Sequence, residues 1–491
     1  MRRFARAGRR AGVIGLSAVF LATACSSDPI TDASDNVEFT PCNETECSGT
    51  LPGGADFEIL LPEDWGGSLA LFSHALRSGN GESGTGQDSQ GDGQAGAPAP
   101  APLWDDGDEA IADALLSAGY AIAGASPPQP GWAVGPQITA AEELYDYFKD
   151  NIAEPNRTYA WGEGTGGLVS ARLAEMHEDW VSGAAAMCAP MSGPEPTYNL
   201  ALDVTYAVRE LLLPKLQLVD YNSEKAAQKA YDAIVKAVAR LQASTDPRDQ
   251  ALLVFIAGIG KLPDKSRTEA GGTLDSALKA YADGVAQLAR QSTVQRYLLQ
   301  QEVGGNYSGN YGSDYRQRLS AEQITQINEL SPGMINKWVT ELQDGERISP
   351  QEDAVRQLSL QGAVTGELAV PMLTLHNAND PVYIAQNESW YRVRAQQNGT
   401  EANANFVDLF ALPPVSYGPE EPASEGAGNC VFEPRTVLGV MIQLNDWVRR
   451  GTYPGRDTVS KAFGDGLVSI TYDPGPWPPM GISPVDAPLS L

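Results

Sequence analysis

Histidine is almost missing. The 491 residues carry three, His74, His177 and His376, so any catalytic imidazole must come from one of these positions. Cysteine is scarce as well, with five residues and no C-x-x-C pair or His/Cys cluster. That spacing excludes a structural zinc site, and no metal or other cofactor is expected. Positive charge is short: 34 Lys and Arg stand against 62 Asp and Glu, for a formal net charge of -28. A chain this acidic repels phosphate backbones and anionic headgroups, so no nucleic-acid partner is expected. No run of about 20 apolar residues exists to form a spanning helix. The 42% hydrophobic content is nevertheless too high for disorder, and the length suffices for a large core and two structural units. Nothing in the sequence sets an oligomeric state.

The first 24 residues read as an export address. Arg2, Arg3, Arg6, Arg9 and Arg10 precede an apolar run from Ala11 to Ala24, too short to span a bilayer. Ala22-Thr23-Ala24 has small residues where a signal peptidase needs them, and Cys25 follows at once. This arrangement resembles a bacterial lipoprotein signal, which implies acylation of Cys25 and a lipid anchor in the membrane of a cell envelope. The alternative is simple secretion with Cys25 a free thiol. Export implies an oxidising compartment, where Cys42 and Cys47 are close enough in sequence to close a small disulfide loop.

Composition and periodicity divide the remainder. Residues 25–55 are polar and read as a tether with its disulfide loop. Residues 56–195 and 352–455 alternate strand-like runs (57–61, 69–72, 120–124, 157–161, 183–187, 370–375, 406–410) with helical patterns, which predicts a mostly parallel sheet covered on both faces. Within them, residues 77–102 form a low-complexity loop, and Thr139 with Glu142 predicts a capped helix start. Residues 196–351 carry apolar residues at helical spacing, such as Ala227, Tyr231, Ile234, Val238 and Leu241, and predict an all-helical insertion. Residues 456–491 are expected to be an extended tail.

One turn stands out. A strand ending at Trp161 runs into Gly162-Glu163-Gly164-Thr165-Gly166-Gly167 and then a helix, which is the frame of a nucleophile elbow. Three more segments follow the same scheme in order. Phe72-Ser73-His74-Ala75 sits where an oxyanion loop follows an early strand. Asn379-Asp380-Pro381-Val382 sits where the triad acid belongs, and Gly428-Asn429-Cys430, before the last amphipathic helix, where the histidine belongs. Over residues 55–455 the chain resembles the α/β-hydrolase superfamily. The resemblance implies an α/β fold with a mostly parallel sheet, helices on both faces and a helical lid over the site.

The chemistry of that family is nonetheless incomplete here. The nucleophile position is Gly164, which has no side chain, and the histidine position is Asn429; only the acid, Asp380, remains. A glycine cannot attack a carbonyl, and an amide cannot take a proton near neutral pH. Glycine would also relax a turn that strains other residues. The alternative at this position is an ordinary glycine-rich strand–helix connection. Among nearby groups, Thr165 should point into the first helical turn and Ser170 lies too far along the helix. His74 and Ala75 belong to the oxyanion loop, and His376, at the end of the acid strand, could line the site. In such a sheet Cys188 and Cys430 both fall beside the site, and a disulfide bridge between them is expected, with two buried free thiols as the alternative. The expected function is therefore that of an exported pseudo-hydrolase that binds a small apolar or ester-like ligand or serves as a scaffold. An ester or amide hydrolase with a displaced nucleophile and a structural envelope protein are the alternatives.

Overall fold

The structure, a computed structural model, describes residues 45–76, 109–127, 129–419, 423–464 and 466–479. The expected signal peptide, Cys25, Cys42 and the 77–102 loop lie outside them. Among the described residues, nine strands form one sheet: β1 (Glu46–Thr50), β2 (Asp56–Leu60), β3 (Ser68–Ser73), β4 (Tyr120–Ser126), β5 (Arg157–Glu163), β6 (Val181–Met187), β7 (Met372–Asn377), β8 (Phe406–Ala411) and β9 (Val468–Ser469). Their spatial order is β1-β2-β4-β3-β5-β6-β7-β8-β9. The strands from β4 through β8 in that order pair in parallel, while β1, β2 and β9 are antiparallel at the edges.

The central strands are short apolar runs because both faces are covered. Along β3, Leu69 and Leu71 join one core, and Ala70 and Phe72 the other, as the two-residue period requires. The first core is closed by α2 (Val134–Asn151) and α3 (Thr165–Met176), the second by α1 (Glu109–Ser117), α14 (Pro434–Arg450) and α15 (Arg456–Phe463). This is the α/β-hydrolase fold.

The expected insertion is helical and has its own apolar core. It comprises α4 (Pro194–Leu211), α5 (Glu224–Gln242), α6 (Pro247–Ile259), α7 (Leu274–Arg290), α8 (Arg296–Val303), α9 (Ala321–Leu330) and α10 (Met334–Asp344). A π-helical segment, Gln291–Gln295, joins α7 to α8. After the insertion come α11 (Glu352–Ser359), α12 (Gln386–Gln397) and α13 (Thr400–Ala404). No described helix is long and apolar enough to cross a membrane.

Three expectations need correction. The capped helix start at Thr139 is wrong: α2 begins at Val134, and Thr139 lies inside it. Pro136 falls in the first turn, where its missing N–H has no intrahelical partner to lose, so it starts the helix instead of blocking it. Residues 46–50 are not tether but an edge strand, paired with β2. The stretch from 456 is not extended at its start, since α15 packs Val459 into the core and β9 pairs with β8.

Candidate active site

The elbow is built by close backbone packing. Gly164 follows β5, precedes α3 and has φ 53° and ψ −124°, in the left-handed half of conformational space that favours glycine. Its N–H donates to Met187 O at 2.9 Å, which fixes the turn to the end of β6. Gly166 serves a different need: a Cβ there would lie 2.0 Å from Ser73 O and 2.7 Å from His74 O. The loop after β3 thus rests directly on the start of α3. A Cβ on Gly164 would meet only ordinary contacts, Ala75 Cβ at 3.6 Å and Tyr383 Cε2 at 3.7 Å. Space for a nucleophile's side chain is therefore present.

The acid loop is heavily determined. Asp380 is buried, and its Oδ1 accepts from Val382 N at 2.7 Å and from Tyr383 N at 3.0 Å. Its Oδ2 accepts from Asn429 Nδ2 at 2.7 Å. Asn429, expected at the histidine position, thus donates to this carboxylate through its side-chain amide. Next to it, Cys430 Sγ lies 3.9 Å from Met187 O, the same carbonyl that holds Gly164. Gly164, Asp380 and Asn429 thus converge, although 265 positions separate the first from the last.

His376 is taken up by the acid loop and α12. It is buried at the end of β7, with Nδ1 2.8 Å from Glu388 Oε1 and Nε2 2.6 Å from Tyr383 O. Its Nε2 is also 3.5 Å from Asp380 Oδ2. Burial alone would lower its pKa, but hydrogen bonds to Asp380 and Glu388 hold it well above the ordinary imidazole value. With Nδ1 on Glu388 and Nε2 on Tyr383 O, both ring nitrogens of His376 are already engaged. Glu388 also accepts from Thr374 Oγ1 at 2.8 Å, and burial raises its pKa in spite of His376.

The remaining candidates are placed as follows. Thr165 is the first residue of α3, fully buried, and its Oγ1 has no hydrogen-bond partner. Ser170 Oγ donates back to Gly166 O at 2.9 Å. His74 is buried with its ring edge-on to Phe72, and Ala75 faces the elbow. His177 pairs with Glu142 at the other end of α3. Cys188 and Cys430 are neighbours but free thiols, so the expected bridge is not formed. Sequence could place the two together; it could not set their sulfurs at bonding distance. Both have left-handed backbones, at φ 44° and 46°. Burial raises the Cys430 pKa, and the hydrogen bond with Cys188 raises it further. Cys47 is not among the free thiols, and its expected partner Cys42 is outside the described residues. Among the described residues no cluster of three or more His, Cys, Asp or Glu could hold a metal ion.

Sequence reasoning missed Tyr383, which covers the elbow, and Glu388, which pairs with His376. It also missed how the lid closes. Gln291 Nε2, in the π-helical segment, donates to Val382 O at 2.9 Å. Tyr417 Oη donates to Ser266 O at 2.7 Å, and Arg267 packs against Gly428, within 3.0–3.2 Å of where its Cβ would be. The lid thus rests on both the acid loop and the loop that bears Asn429.

No family model matches the chain. Among known proteins, an o-phthalyl amidase from Xanthobacter agilis is 28% identical over 171 residues, 34% of this chain, and the chain spans 32% of the length of that relative. Among solved structures, an esterase from Aspergillus oryzae aligns with TM-score 0.39 and 12% identity over 83% of this chain and 80% of its own. Feruloyl esterase B from Aspergillus oryzae aligns with TM-score 0.34 and 13% identity over 83% and 81%.

Proposed function

We propose that this chain is an exported, lipid-anchored pseudo-hydrolase that binds a small apolar or ester-like ligand at the elbow and does not hydrolyse it. One observation supports the reading: Gly164 holds φ 53° and ψ −124° at the turn into α3, and the amide of Asn429 is hydrogen-bonded to Asp380, so on the family scheme neither position carries a group for attack or proton transfer. An ester bound beside Gly164 meets no nucleophile, and Asn429 can donate a hydrogen bond but cannot take a proton. The anchor is a proposal from residues 1–25 alone; loss of fatty-acid labelling in Cys25→Ser would support it.

The second reading is an ester or amide hydrolase with a displaced nucleophile. The buried, unpartnered hydroxyl of Thr165 beside the elbow favours it, as does the partial similarity to an amidase. Against it stands the engagement of two of the three histidines. His376 is capped at both nitrogens, and His177 is engaged with Glu142.

A thermal-shift series with small aryl esters and amides, assayed in parallel for product, decides among these. Binding predicts a raised Tm for some members, no product, and no labelling by a fluorophosphonate. Turnover above a heat-killed control overturns the binding reading. A flat series, with no small molecule released on denaturing extraction, favours a structural envelope protein instead.

A further inference from the structure

We propose that residues 472–479 form a latch that holds the lid closed over the elbow. After β9 the chain crosses from the sheet to the lid by a series of side-chain and carbonyl contacts. The Tyr472 ring packs on Phe410 of β8, with centroids 5.1 Å apart. Pro474 O accepts from Gln386 Nε2 at 2.9 Å, at the first turn of α12 and just after the acid loop. The Trp477 indole stands edge-on to Trp390 of the same helix, at 5.9 Å. Pro479 O then accepts from Nε of Arg318, at 3.0 Å.

Arg318 makes the last contact consequential. It is fully buried in the lid, in the 3-10 turn Tyr315–Arg318, and its other donors go to Asp203 and to Ile259 O. The carbonyl of Pro479 therefore satisfies one face of a buried guanidinium, and removing it leaves that face without a partner. Four of the seven residues from 473 to 479 are proline. They lack the N–H groups needed to extend the sheet beyond β9, and they lose little freedom when held extended. The segment is thus poor at being a strand and suited to being a strap. Elsewhere the lid meets the core through Gln291 on Val382 O, through Tyr417 on the carbonyls of Ser266 and Glu269, and through Tyr198, Leu299, Val303 and Tyr307, which pack into the first apolar core; the 472–479 contacts are the ones that reach Arg318.

The role as a gate rests on the binding reading above, but the latch itself is measured without a ligand. Hydrogen exchange of the full chain is compared with Trp477→Ala and with a deletion from residue 473 onward. The latch predicts that exchange rises at least about tenfold in the 263–272 loop and in the lid helices around Arg318, with β5 and α3 unchanged. An unchanged lid in Trp477→Ala overturns the proposal. A rise shared equally by the sheet also overturns it, since the segment would then stabilise the whole fold. If the deletion does not fold, Trp477→Ala and Trp390→Ala, which remove the two halves of one ring contact and no buried charge, still decide. Raised lid exchange together with a flat ligand series would uphold the latch and sink the binding reading alone.

Discussion

Asn429 Nδ2 lies 2.7 Å from Asp380 Oδ2, and this bond ties a buried carboxylate to a side-chain amide 49 positions away. The geometry is that of an assembled site. Asp380 is fixed by two backbone N–H groups, and Gly164 is pinned to Met187. On the binding reading proposed above, these fixed donors and acceptors around the turn would surround the ligand.

The two glycines of the elbow make separable demands. Gly166→Ala places a Cβ 2.0 Å from Ser73 O, a backbone atom that cannot rotate away. Gly164→Ala meets nothing closer than 3.6 Å and suffers only its positive φ. The second change should cost about 1–3 kcal/mol in backbone strain. The first should cost at least the upper end of the ~1–3 kcal/mol typical of overpacking, because the loop after β3 must move. Urea unfolding of both variants checks this; a Gly166→Ala midpoint at or above that of Gly164→Ala would contradict the close packing.

How far the sequence carried depends on the range of each cause. The central strands are apolar runs bounded by turns, and the elbow is a run of glycines, so both leave a local signature. Asp380 and Asn429 could be singled out because each sits in a loop at a predictable place between a strand and a helix, and the hydrogen bond between them came only with the structure. Glu388 was not, because its only mark is its distance from a buried histidine, and that depends on how α12 packs under β7. Tyr383 looks like any core tyrosine until the elbow is placed beneath it. Thr139 with Glu142 has the form of a capping box, and the pattern misled because tertiary packing began the helix five residues earlier. The carbonyl of Pro479 on Arg318 spans 161 positions and involves a backbone atom, which no residue pattern can announce.

His376 gives the fold a definite pH dependence. In the unfolded chain its imidazole titrates near about 6.5. In the folded protein the Asp380 and Glu388 hydrogen bonds, working against burial, hold its pKa well above that value. Its contribution to stability is therefore complete below the unfolded pKa. As the pH rises from there through the raised folded value, the native state holds a proton that the unfolded state has released, and the contribution is withdrawn. Wild-type stability should fall over this range, and His376→Gln should show a flatter profile. Near neutral pH the variant should be less stable by about 3–5 kcal/mol, because Asp380 and Glu388 then lose the cation buried between them. Chemical denaturation at a series of pH values measures both; equal slopes would mean that His376 is neutral in the folded protein.

The most demanding prediction asks the site to work. Gly164→Ser supplies a hydroxyl on a backbone already at φ 53° and ψ −124°, with room around the new Cβ. Its strain, about 1–3 kcal/mol, is tolerable for a domain of this size. Asn429→His puts an imidazole beside Asp380, whose Oδ2 already accepts a hydrogen bond from that position. The carboxylate would then orient the ring and favour its protonated form, while the ring takes the serine proton. Neither single change completes the set, since one lacks a base and the other a nucleophile, and the effects of such groups are strongly non-additive. Weak hydrolysis of an activated aryl ester is therefore expected in the double variant alone, together with fluorophosphonate labelling of the new serine. Both should disappear when Asp380→Asn is added. A double variant that still unfolds cooperatively and stays as inert as either single change would mean that Gly164 and Asn429 do not occupy the positions of nucleophile and base.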